Sequence, residues 1–435
     1  MSHRNGEVPY KHPWPEDQLG NVASVTVGGT PSTSVPEYWN GEVPWMSSGD
    51  VHLRRILDVP TRISDLGLRC SNATMVDPPA VAIGLAGQGK TRGTVAIVLC
   101  RLCTNQSVAL IKGNPHTLDT NYLLYNLEYR YAELRSRSAG GGRAGLSKQL
   151  LEAVPVPLPS TTEQSKIADV LSTVDRAIEQ TQALIAKQHR IKAGLMQDLL
   201  SRGIDAEGNL RSEETHEFKD SPLGRIPIEW DIAELGSLTE SYDSITYGVL
   251  KPGPYVENGV PLLQIEDVIH GDIQIELLHR ISPELDSQYK RTRLRGGEVV
   301  VSLVGTIGRI AHLPPSVCGF NLHRNLALVR PVAKHSSRFL YHFLRSEGGQ
   351  KEFARNSLGS TQALFNLGSL RALCVPLPDP DEQERIAERS DALDAASAKT
   401  ALARDKLIEL KTAMMQDLLT GDKRVTPLLE PAEIT

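Results

Sequence analysis

The chain has few cysteines for its length. Five occur in 435 residues, at Cys70, Cys100, Cys103, Cys318 and Cys374. An odd and sparse set argues against a disulfide framework and is typical of reduced thiols inside a cell. Cys100 and Cys103 form one CxxC pair, but no second pair follows at the spacing of a zinc site. We therefore expect a cytoplasmic protein without a bound metal or other cofactor.

Long apolar segments are missing as well. No stretch reaches the ~18 residues that a membrane-spanning helix needs, and the polar, proline-containing residues 1–15 do not resemble a signal peptide. No membrane association is expected. The formal net charge of −5 gives no overall preference for nucleic acid, although one basic face would be sufficient for binding. A chain of 435 residues is too long for one core and suits two or three domains.

Complete catalytic motifs are also absent from the sequence. Residues 84–91 match the phosphate-binding pattern GxxxxGK[ST], but residues 94–98 after them have a strand pattern, whereas a working phosphate loop opens a helix. Asp-Pro-Pro-Ala at 77–80 is similar to a motif of amino-methyltransferases, in which an aromatic fourth residue stacks on the target base. Ala80 cannot stack in this way. We expect no enzyme activity, and a P-loop NTPase that uses Lys90 is the alternative.

What the chain does contain is an internal repeat with an offset of 219 residues. Val-Pro-Leu-Pro at 156–159 returns at 375–378, Glu-Gln at 163–164 returns at 382–383, and Met-Gln-Asp-Leu-Leu at 196–200 returns at 415–419. The chain is therefore two copies of one module, each of which ends in a long helix. Two linked copies suit a protein that contacts two separated places on one target.

Short strand patterns separate these landmarks in both halves. We predict strands at 81–83, 95–99, 108–111, 299–304 and 326–329, because β-branched and apolar residues cluster there between glycine, proline and asparagine. Helical patterns occupy 121–134 and 337–355. Each half is therefore predicted to be α+β with a β-rich core.

A long helical pattern closes each half. Ser160 with Glu163, and Asp379 with Glu382, have the spacing of a capping box, and Gly203 and Gly421 mark the two ends. Apolar residues at steps of three and four predict a coiled-coil seam. Its members are Ile167, Val174, Leu184, Ile191 and Leu195 in the first helix, and Ile386, Leu393, Leu407, Leu410 and Met414 in the second.

Each of these helices needs a partner along its length, and the other helix has the same length. We expect the two helices to pack antiparallel, which relates the two halves by a pseudo-two-fold axis. Duplex DNA has local two-fold axes of the same kind. A pairing of Ile167 with Ile386 would contradict this arrangement.

Several local phrases complete the pattern. They are Gly-Gly-Thr-Pro-Ser at 28–32, Tyr-Trp-Asn-Gly-Glu-Val-Pro-Trp at 38–45, the duplicated Val-Pro-Leu-Pro and Glu-Gln, and Leu-Leu-Thr-Gly at 418–421. In this order and with this duplication, nearly the whole chain resembles the specificity subunit of Type I restriction–modification systems. The resemblance implies two target recognition domains, separated by two antiparallel helices that set the gap between two parts of a DNA target.

The same resemblance implies partners. Double-stranded DNA is the expected ligand, two methyltransferase subunits are expected to dock on the helices, and restriction/translocase subunits join the full complex. The chain itself would be non-catalytic. Because the halves differ between their landmarks, we expect a bipartite, asymmetric target. A coiled-coil scaffold that binds no DNA is a further alternative to this function.

The repeat also suggests domain boundaries. The first recognition domain is expected at 1–159, the first helical spacer at 160–203, a linker at 204–221, the second recognition domain at 222–378, the second spacer at 379–421 and a tail at 422–435.

No base-reading residue transfers by motif, so the candidate DNA contacts are chosen by their chemistry. Loop arginines, lysines and amides can reach phosphates or base edges. The candidates are Arg54, Arg55, Gln88, Lys90, Arg92, Arg143, Lys290, Arg291, Arg293, Arg309, Arg324 and Asn325.

Overall fold

The chain forms two compact units that each combine small sheets with helices. The computed structural model describes residues 13–87, 89–137, 145–241, 244–264, 266–267, 275–304, 307–357 and 365–429. Unit 1 comprises Met1–Gln182 and Leu402–Thr435, and unit 2 comprises Ala183–Ala401. The predicted α+β class with two similar domains and two long helices is confirmed.

Unit 1 is built around a five-stranded sheet with the order β2-β9-β6-β7-β4, beside sheets with the orders β5-β3-β8 and β1-β10. Its strands are β1 Glu16–Gln18, β2 Ala23–Val27, β3 Trp39–Met46, β4 Arg55–Ile56, β5 Arg62–Ile63, β6 Ala80–Gly84, β7 Val95–Val98, β8 Cys103–Thr104, β9 Val108–Gly113 and β10 Pro155–Pro157. Its helices are α1 Leu19–Val22, α2 Asp65–Arg69, α3 Thr120–Tyr129, α4 Tyr131–Arg137 and α5 Lys148–Glu152, and the long helix α6 Thr161–Ser201 begins here.

Unit 2 repeats this plan with shorter strands. Its sheets have the orders β14-β20-β17-β18, β16-β15-β19, β13-β21 and β11-β12. The strands are β11 Phe218–Ser221, β12 Gly224–Pro227, β13 Asp231–Glu234, β14 Thr246–Tyr247, β15 Val260–Leu263, β16 His279–Ile281, β17 Val299–Ser302, β18 Ile310–His312, β19 Asn321–Leu322, β20 Leu326–Val329 and β21 Cys374–Leu377. The helices are α7 Pro283–Gln288, α8 Ser337–Arg345, α9 Glu347–Ser357 and α10 Leu367–Arg371, and the long helix α11 Pro380–Thr420 begins in this unit.

The main sheet of each unit is buried on both faces. In unit 1, Val81 and Ile83 pack with the side chains of α3, whereas Ala80 and Ala82 between them pack in a second core cluster on the opposite face. In unit 2, Val299 and Val301 pack with α8, and the intervening Val300 joins the other cluster. Strand alternation places successive residues on opposite faces, so these continuous apolar strands position the loops at their ends firmly.

Two of the predicted helices are each divided into two. The segment predicted at 121–134 becomes α3 and α4, and the segment predicted at 337–355 becomes α8 and α9. At the second break Ser346 leaves the helical conformation, with φ −68° and ψ 165°. Its hydroxyl then accepts a hydrogen bond from Gly349 N–H at 3.2 Å and caps α9. Because a serine hydroxyl can hydrogen-bond to nearby backbone groups, serine favours the start of a helix over its interior. A helical pattern of apolar residues does not reveal this preference.

The long helices α6 and α11 have 41 residues each, which corresponds to about 60 Å. Both end where they were predicted to end, because Gly203 and Gly421 adopt φ values of 67° and 79°, which favour glycine. At their starts only half of each predicted capping box forms. Ser160 Oγ accepts from Glu163 N–H at 3.3 Å, and Asp379 accepts from the backbone of Glu382 at 3.0 Å.

Within each unit the two helices run in opposite directions. In unit 1, Glu163 pairs with Arg424, just after the end of α11, at 2.6 Å, and Asp175 pairs with Lys411 of α11 at 2.9 Å. Residue numbers therefore rise along α6 while those of their partners fall. In unit 2, Lys192 pairs with Asp394, and Glu382 accepts from the backbone of Ile204. The predicted antiparallel arrangement is confirmed in both units.

The predicted seam is wrong in the central parts of the helices. Leu184, Ile191 and Leu410 are 47%, 54% and 49% exposed. Ile167 and Ile386 are buried as predicted, and Val174, Leu195, Leu393, Leu407 and Met414 are half-buried. The buried residues lie near the helix ends, where the start of one long helix and the end of the other join the core of each unit. A periodicity of three and four residues identifies an apolar stripe but does not show what covers it.

Candidate nucleic-acid interface

The glycine-rich segment of unit 1 is the hairpin connection between β6 and β7. Gly84 N–H donates to Thr94 O at 3.0 Å, and Gly93 N–H donates to Gly84 O at 2.8 Å. The segment therefore leaves one antiparallel strand and enters the next. Lys90 lies in the loop between them and is exposed.

Carbonyl oxygens of this loop are turned towards helix α4. Arg135 donates to Gly89 O at 2.7 Å, and Tyr131 Oη donates to Lys90 O at 3.1 Å. A phosphate loop would instead direct backbone N–H groups at its ligand from the start of a helix. This geometry argues against the P-loop alternative, although the residues match that pattern.

Unit 2 places a loop in the same position, between β17 and β18. Ser302 N–H donates to Arg309 O at 2.9 Å, and Gly308 N–H donates to Ser302 O at 3.2 Å. Here Gln350 of α9 donates to Gly308 O at 3.1 Å. In both units a short helix thus holds the loop by its carbonyl groups, and a basic side chain, Lys90 or Arg309, is exposed beside it.

A second turn lies against each of these loops. Leu85 N–H donates to Ser107 O at 2.8 Å in unit 1, and Leu303 N–H donates to Asn325 O at 2.9 Å in unit 2. The unit 2 turn carries the exposed Arg324. The fold therefore brings the candidates Arg309, Arg324 and Asn325 to one end of the main sheet.

A third loop completes this end of each sheet. A Cβ atom on Gly28 would overlap the backbone of Thr104, and one on Gly248 would overlap the backbone of Leu322. The two glycines are needed because the chains approach closely. Arg324 N–H donates to Val249 O at 3.0 Å, which fixes the third loop of unit 2 beside the second turn.

The side chains at this shared place differ between the units. In unit 1, Thr30 Oγ1 donates to the side-chain oxygen of Gln106. In unit 2, Tyr247 and Leu250 are 41% and 45% exposed. They line a cleft of about 520 Å³ together with Tyr289 and Arg291. Exposed aromatic and basic side chains in one cleft are typical of surfaces that bind nucleic acid.

The side chain of Arg54, unlike these exposed side chains, is engaged in ion pairs within the protein. Its guanidinium makes two hydrogen bonds to Glu128, at 2.7 and 2.9 Å, and a third to Asp175 at 2.6 Å. Burial opposes the charge on Arg54, but Glu128 and Asp175 outweigh it and raise the pKa of this side chain. Burial likewise opposes ionisation of Asp175, yet Arg54 and Lys411 hold its pKa below the usual range. Arg54 and Asp175 are therefore both charged at neutral pH.

Arg293 is engaged as well, because it pairs with Asp286, a carboxylate that is only 2% exposed. Asp286 also accepts from Asn321 Nδ2 at 2.9 Å. This arrangement orders the turn that contains Lys290 and Arg291, both of which are exposed. We interpret Arg293 as a residue that shapes this turn.

The twelve candidates fall into four groups. Gln88 and Arg143 lie outside the described residues. Arg54 and Arg293 are ion-paired, and Arg92 and Asn325 are half-buried. The exposed candidates are Arg55, Lys90, Lys290, Arg291, Arg309 and Arg324.

Sequence reasoning did not find several members of these sites. Tyr247 and Leu250 were missed because a two-residue strand gives no periodic signal. Asp175 and Lys411 were also missed, although the repeat contains the signal: Asp175 and Asp394, and likewise Lys192 and Lys411, are separated by 219 residues. Conserved charge at the repeat offset within both long helices is what identifies the two interhelical ion pairs.

No group of three or more histidine, cysteine or carboxylate side chains could hold a metal ion in the part of the chain that the structure describes. None of the described helices is long and apolar enough to cross a membrane.

Comparison with known proteins gives consistent matches. The family model described as the Type I restriction modification DNA specificity domain matches twice, at residues 11–187 and 227–412. The MjaVIII Type I restriction enzyme specificity subunit of Methanocaldococcus jannaschii is 26% identical over 423 residues, 95% of this chain and 94% of that protein. The EcoBI specificity subunit of Escherichia coli is 26% identical over 352 residues, 75% of this chain and 74% of that protein.

Solved structures show the same fold. The S subunit of a Type I restriction–modification system from M. genitalium superposes with a TM-score of 0.57 at 15% identity, covering 95% of this chain and 97% of that one. A chain from a study of complex assembly and conformational transition of the type I system gives a TM-score of 0.58 at 18% identity. It covers 95% of this chain and 100% of that one.

Proposed function

Because the chain belongs to the family of Type I restriction–modification DNA specificity domains, whose role is DNA recognition, we propose that it recognises a bipartite, asymmetric DNA target. One recognition domain would bind each part of the target. The observation that carries this proposal is the shared set of three loops at one end of each main sheet. The backbone pattern of this set is repeated, whereas its exposed side chains are not.

The two loop sets would read different sequences. Hydrogen-bonding side chains such as Thr30 and Gln106 can pair with base edges. Tyr247, Leu250 and Arg324 offer instead an apolar surface beside a cation, which suits a thymine methyl group or an unstacked base next to a phosphate. Because the side chains at equivalent positions differ in chemistry, the two units would bind two different half-sites.

The long helices would bind the partner subunits. Leu184 and Ile191 are exposed on α6 in unit 2, and Ile408 and Leu410 are exposed on α11 in unit 1. Exposed apolar side chains on a helix frequently mark an interface with another protein. We propose that two methyltransferase subunits dock on these helices, that restriction/translocase subunits join the assembly, and that the chain itself has no catalytic activity.

The test uses the full chain together with its cognate methyltransferase subunits. Mapping methylated adenines in host DNA identifies the target, and footprinting of the purified complex on a duplex carrying that target then measures protection. We expect two protected segments separated by an unprotected one. Protection of a single segment contradicts a bipartite target, and absence of protection supports the scaffold alternative.

A nucleotide-binding assay on the isolated chain addresses the remaining alternative. We expect no saturable binding of ATP, because loop 85–93 directs its carbonyl oxygens towards α4. Saturable binding that is lost in Lys90→Ala would instead support a P-loop NTPase.

A further inference from the structure

Arg54 has an unusual backbone conformation for an arginine. It follows the short 3-10 helix Ser48–Leu53 and adopts φ 60° and ψ −44°. A side chain with a Cβ atom rarely occupies positive φ, and such strain persists only where the surroundings enforce it. Its backbone is fixed as well, because Arg54 O accepts from Ile97 N–H of β7 at 2.8 Å. The exposed Arg55 follows directly.

The guanidinium of Arg54, which binds Glu128 and Asp175, belongs to a larger charged network. Besides Arg54, Lys411 of α11 binds Glu128 at 3.0 Å and Asp175 at 2.9 Å. Tyr125 Oη donates to Asp175 at 2.8 Å. Two cations and two carboxylates, contributed by the 47–55 segment, α3, α6 and α11, therefore form one network. Lys411 is 7% exposed and Asp175 is 9% exposed, so solvent screens the pair weakly.

The 47–55 segment also supports the glycine-rich loop. His52 Nε2 lies 3.1 Å from Thr91 Oγ1 and shares a hydrogen bond with it. Ser47 and Asp50 close the start of the segment, since Asp50 accepts from both the backbone and the hydroxyl of Ser47 at 2.8 Å. The segment is thus held at both ends and contacts the loop that carries Lys90.

The equivalent ion pair of unit 2 is differently connected. Lys192 binds Asp394, and the additional cation on Asp394 is Arg345, at 3.3 Å, from the end of α8. This cation comes from a helix, whereas Arg54 comes from a loop. The 217-residue offset between Val-Pro at 43–44 and Val-Pro at 260–261 matches Arg54 with Gly271, which lies outside the described residues. Among the residues that the structure describes, a loop side chain joins the interhelical ion pair in unit 1 but not in unit 2.

We propose that Arg54 is a positioning residue for recognition of the first half-site: it fastens the 47–55 segment, and through His52 the glycine-rich loop, to the two long helices. This inference rests on the proposed function. Arg54 acts through Arg55 and Lys90, which are exposed, and its own guanidinium stays on Glu128 and Asp175. Discrimination between correct and altered first half-sites then depends on residues of the helices that lie away from the loops.

Asp175→Asn tests the proposal, and Asp394→Asn in unit 2 is its matched control. Hydrogen exchange of the full chain without DNA gives the first measurement. In Asp175→Asn the amides of 47–55 should exchange at least about ten times faster, with the β6 and β9 amides unchanged, whereas Asp394→Asn should leave 47–55 unchanged. Equal acceleration throughout unit 1 would show ordinary destabilisation and would overturn the proposal, as would an unchanged 47–55 segment.

DNA binding by the complex with methyltransferase gives the second measurement. Asp175→Asn should reduce discrimination against an altered first half-site by about ten-fold, with discrimination at the second half-site and the salt dependence of binding unchanged. Arg54→Lys, which keeps the charge but not the forked geometry, should behave in the same way. A shallower salt slope in Arg54→Gln, which removes the cation, would mean that Arg54 contacts phosphate and would overturn the proposal. If the wild-type complex fails to bind DNA, the proposed function fails instead, and the exchange experiment still decides the positioning role.

Discussion

The starts of the two long helices carry the same glutamate in two different environments. Glu382 is 1% exposed and accepts from Arg211, from Trp230 Nε1 at 3.1 Å and from the backbone of Ile204 at 2.9 Å. Glu163 is 2% exposed and accepts two hydrogen bonds from Arg424, at 2.6 and 2.8 Å.

At the start of the first long helix, one buried polar group has no hydrogen-bond partner among the described residues. Trp14, the counterpart of Trp230, is buried, and its Nε1 has no hydrogen-bond partner among the described residues. Arg424 lies over the Trp14 ring at 5.3 Å instead. The buried glutamate is thus the same in both copies of the repeat. The arginine that pairs with it follows the end of the other long helix, at a different position in each copy. The acid is the constant element because both helices must be seated on their domains in the same way.

Removing the charge of each glutamate should expose this difference. Glu382→Gln leaves Arg211, whose side chain is 10% exposed, as an uncompensated buried charge, so we expect a loss of about 3–5 kcal/mol in the free energy of unfolding of unit 2. Glu163→Gln leaves Arg424, which is 41% exposed and can turn to water. We expect a loss of only about 1–2 kcal/mol in unit 1.

Urea denaturation, monitored by hydrogen exchange, measures the free energy of unfolding of each unit separately. Amides of β17 report on unit 2, and amides of β6 report on unit 1. Glu384→Gln, on the exposed side of the same helix turn, is the control and should change little. Equal losses in the two glutamine variants would show that the difference in arginine burial has no energetic consequence.

Two turns further along the helices, the larger expected loss lies in unit 1 instead of unit 2. Leu171 is fully buried in unit 1, and the residue at the same repeat position in unit 2 is Ser390, also fully buried, whose hydroxyl donates to Ile386 O at 2.8 Å. Leu171→Ala should cost about 2–4 kcal/mol, because it removes buried methyl groups and leaves a cavity. Ser390→Ala should cost less than about 1 kcal/mol, since the hydroxyl bonds only to its own helix.

Thermal or urea unfolding of the two variants checks this expectation, and Leu184→Ala is a suitable control. Leu184 is 47% exposed, so its replacement should leave the stability of the isolated chain unchanged while it weakens association with the proposed methyltransferase partner. A lower free energy of unfolding in Leu184→Ala would show that Leu184 is part of a buried seam, as the sequence predicted.

These differences also mark the limit of prediction from sequence. The repeat, the caps, the ends of the helices and their antiparallel order are determined by local signals or by length, and the sequence predicted all of them except the return half of each capping box. Glu163 and Glu382 did not complete that box because arginines offered them stronger, charged partners than a backbone N–H. Burial of Leu184 could not be judged, because periodicity does not show which elements cover a helix.

The candidate DNA contacts could be chosen by residue type from the sequence, but the surroundings of each side chain could not be predicted. Lys90, Arg309 and Arg324 were identified because they are basic residues in loops, and the fold places them at equivalent sheet ends. Arg54 satisfied the same criterion, yet its carboxylate partners are 74 and 121 residues away along the chain. Pairing over such distances depends on the tertiary fold and leaves no local pattern.

The two units should also differ in their response to pH. His342 of unit 2 is 1% exposed and donates from Nε2 to Asp391 at 2.7 Å. Its counterpart in unit 1 is Tyr125, because α3 and α8 are offset by 217 residues: the backbone N–H groups of Asp119 and Ser336 donate to the equivalent Gln164 and Gln383. Burial lowers the pKa of His342, although Asp391 opposes the shift. Protonation therefore favours the unfolded state, and the contribution of His342 to stability is complete above about pH 6.5 and declines as the pH falls below that value.

Unfolding of unit 2 measured between pH 7.5 and 5 should accordingly show a smaller decrease in His342→Gln than in the wild type. Other histidines of unit 2 with lowered pKa values, His312, His323 and His335, should retain their share of the pH dependence in this variant. The same stability in both proteins at every pH would contradict the assignment to His342. Tyr125→Phe in unit 1 is the control and should leave the pH dependence of unit 1 near neutrality unchanged.

The smallest expected difference concerns single phosphate contacts. Lys90 and Arg309 are exposed at equivalent loops, and no hydrogen bond or ion pair joins either side chain to the rest of the described chain. If each contacts one phosphate, Lys90→Ala and Arg309→Ala should each reduce the slope of log K against log salt concentration by about 1, with sequence discrimination little changed. Binding of the methyltransferase complex to its target across a salt series measures this slope.

The control is Lys334→Ala, because Lys334 is exposed and lies beyond the opposite end of β20 from Arg324. An equal change in slope for Lys334→Ala would indicate a diffuse basic surface rather than two equivalent loop contacts. A reduced slope for only one of Lys90→Ala and Arg309→Ala would show that the two units approach the DNA backbone differently, despite their shared loop geometry.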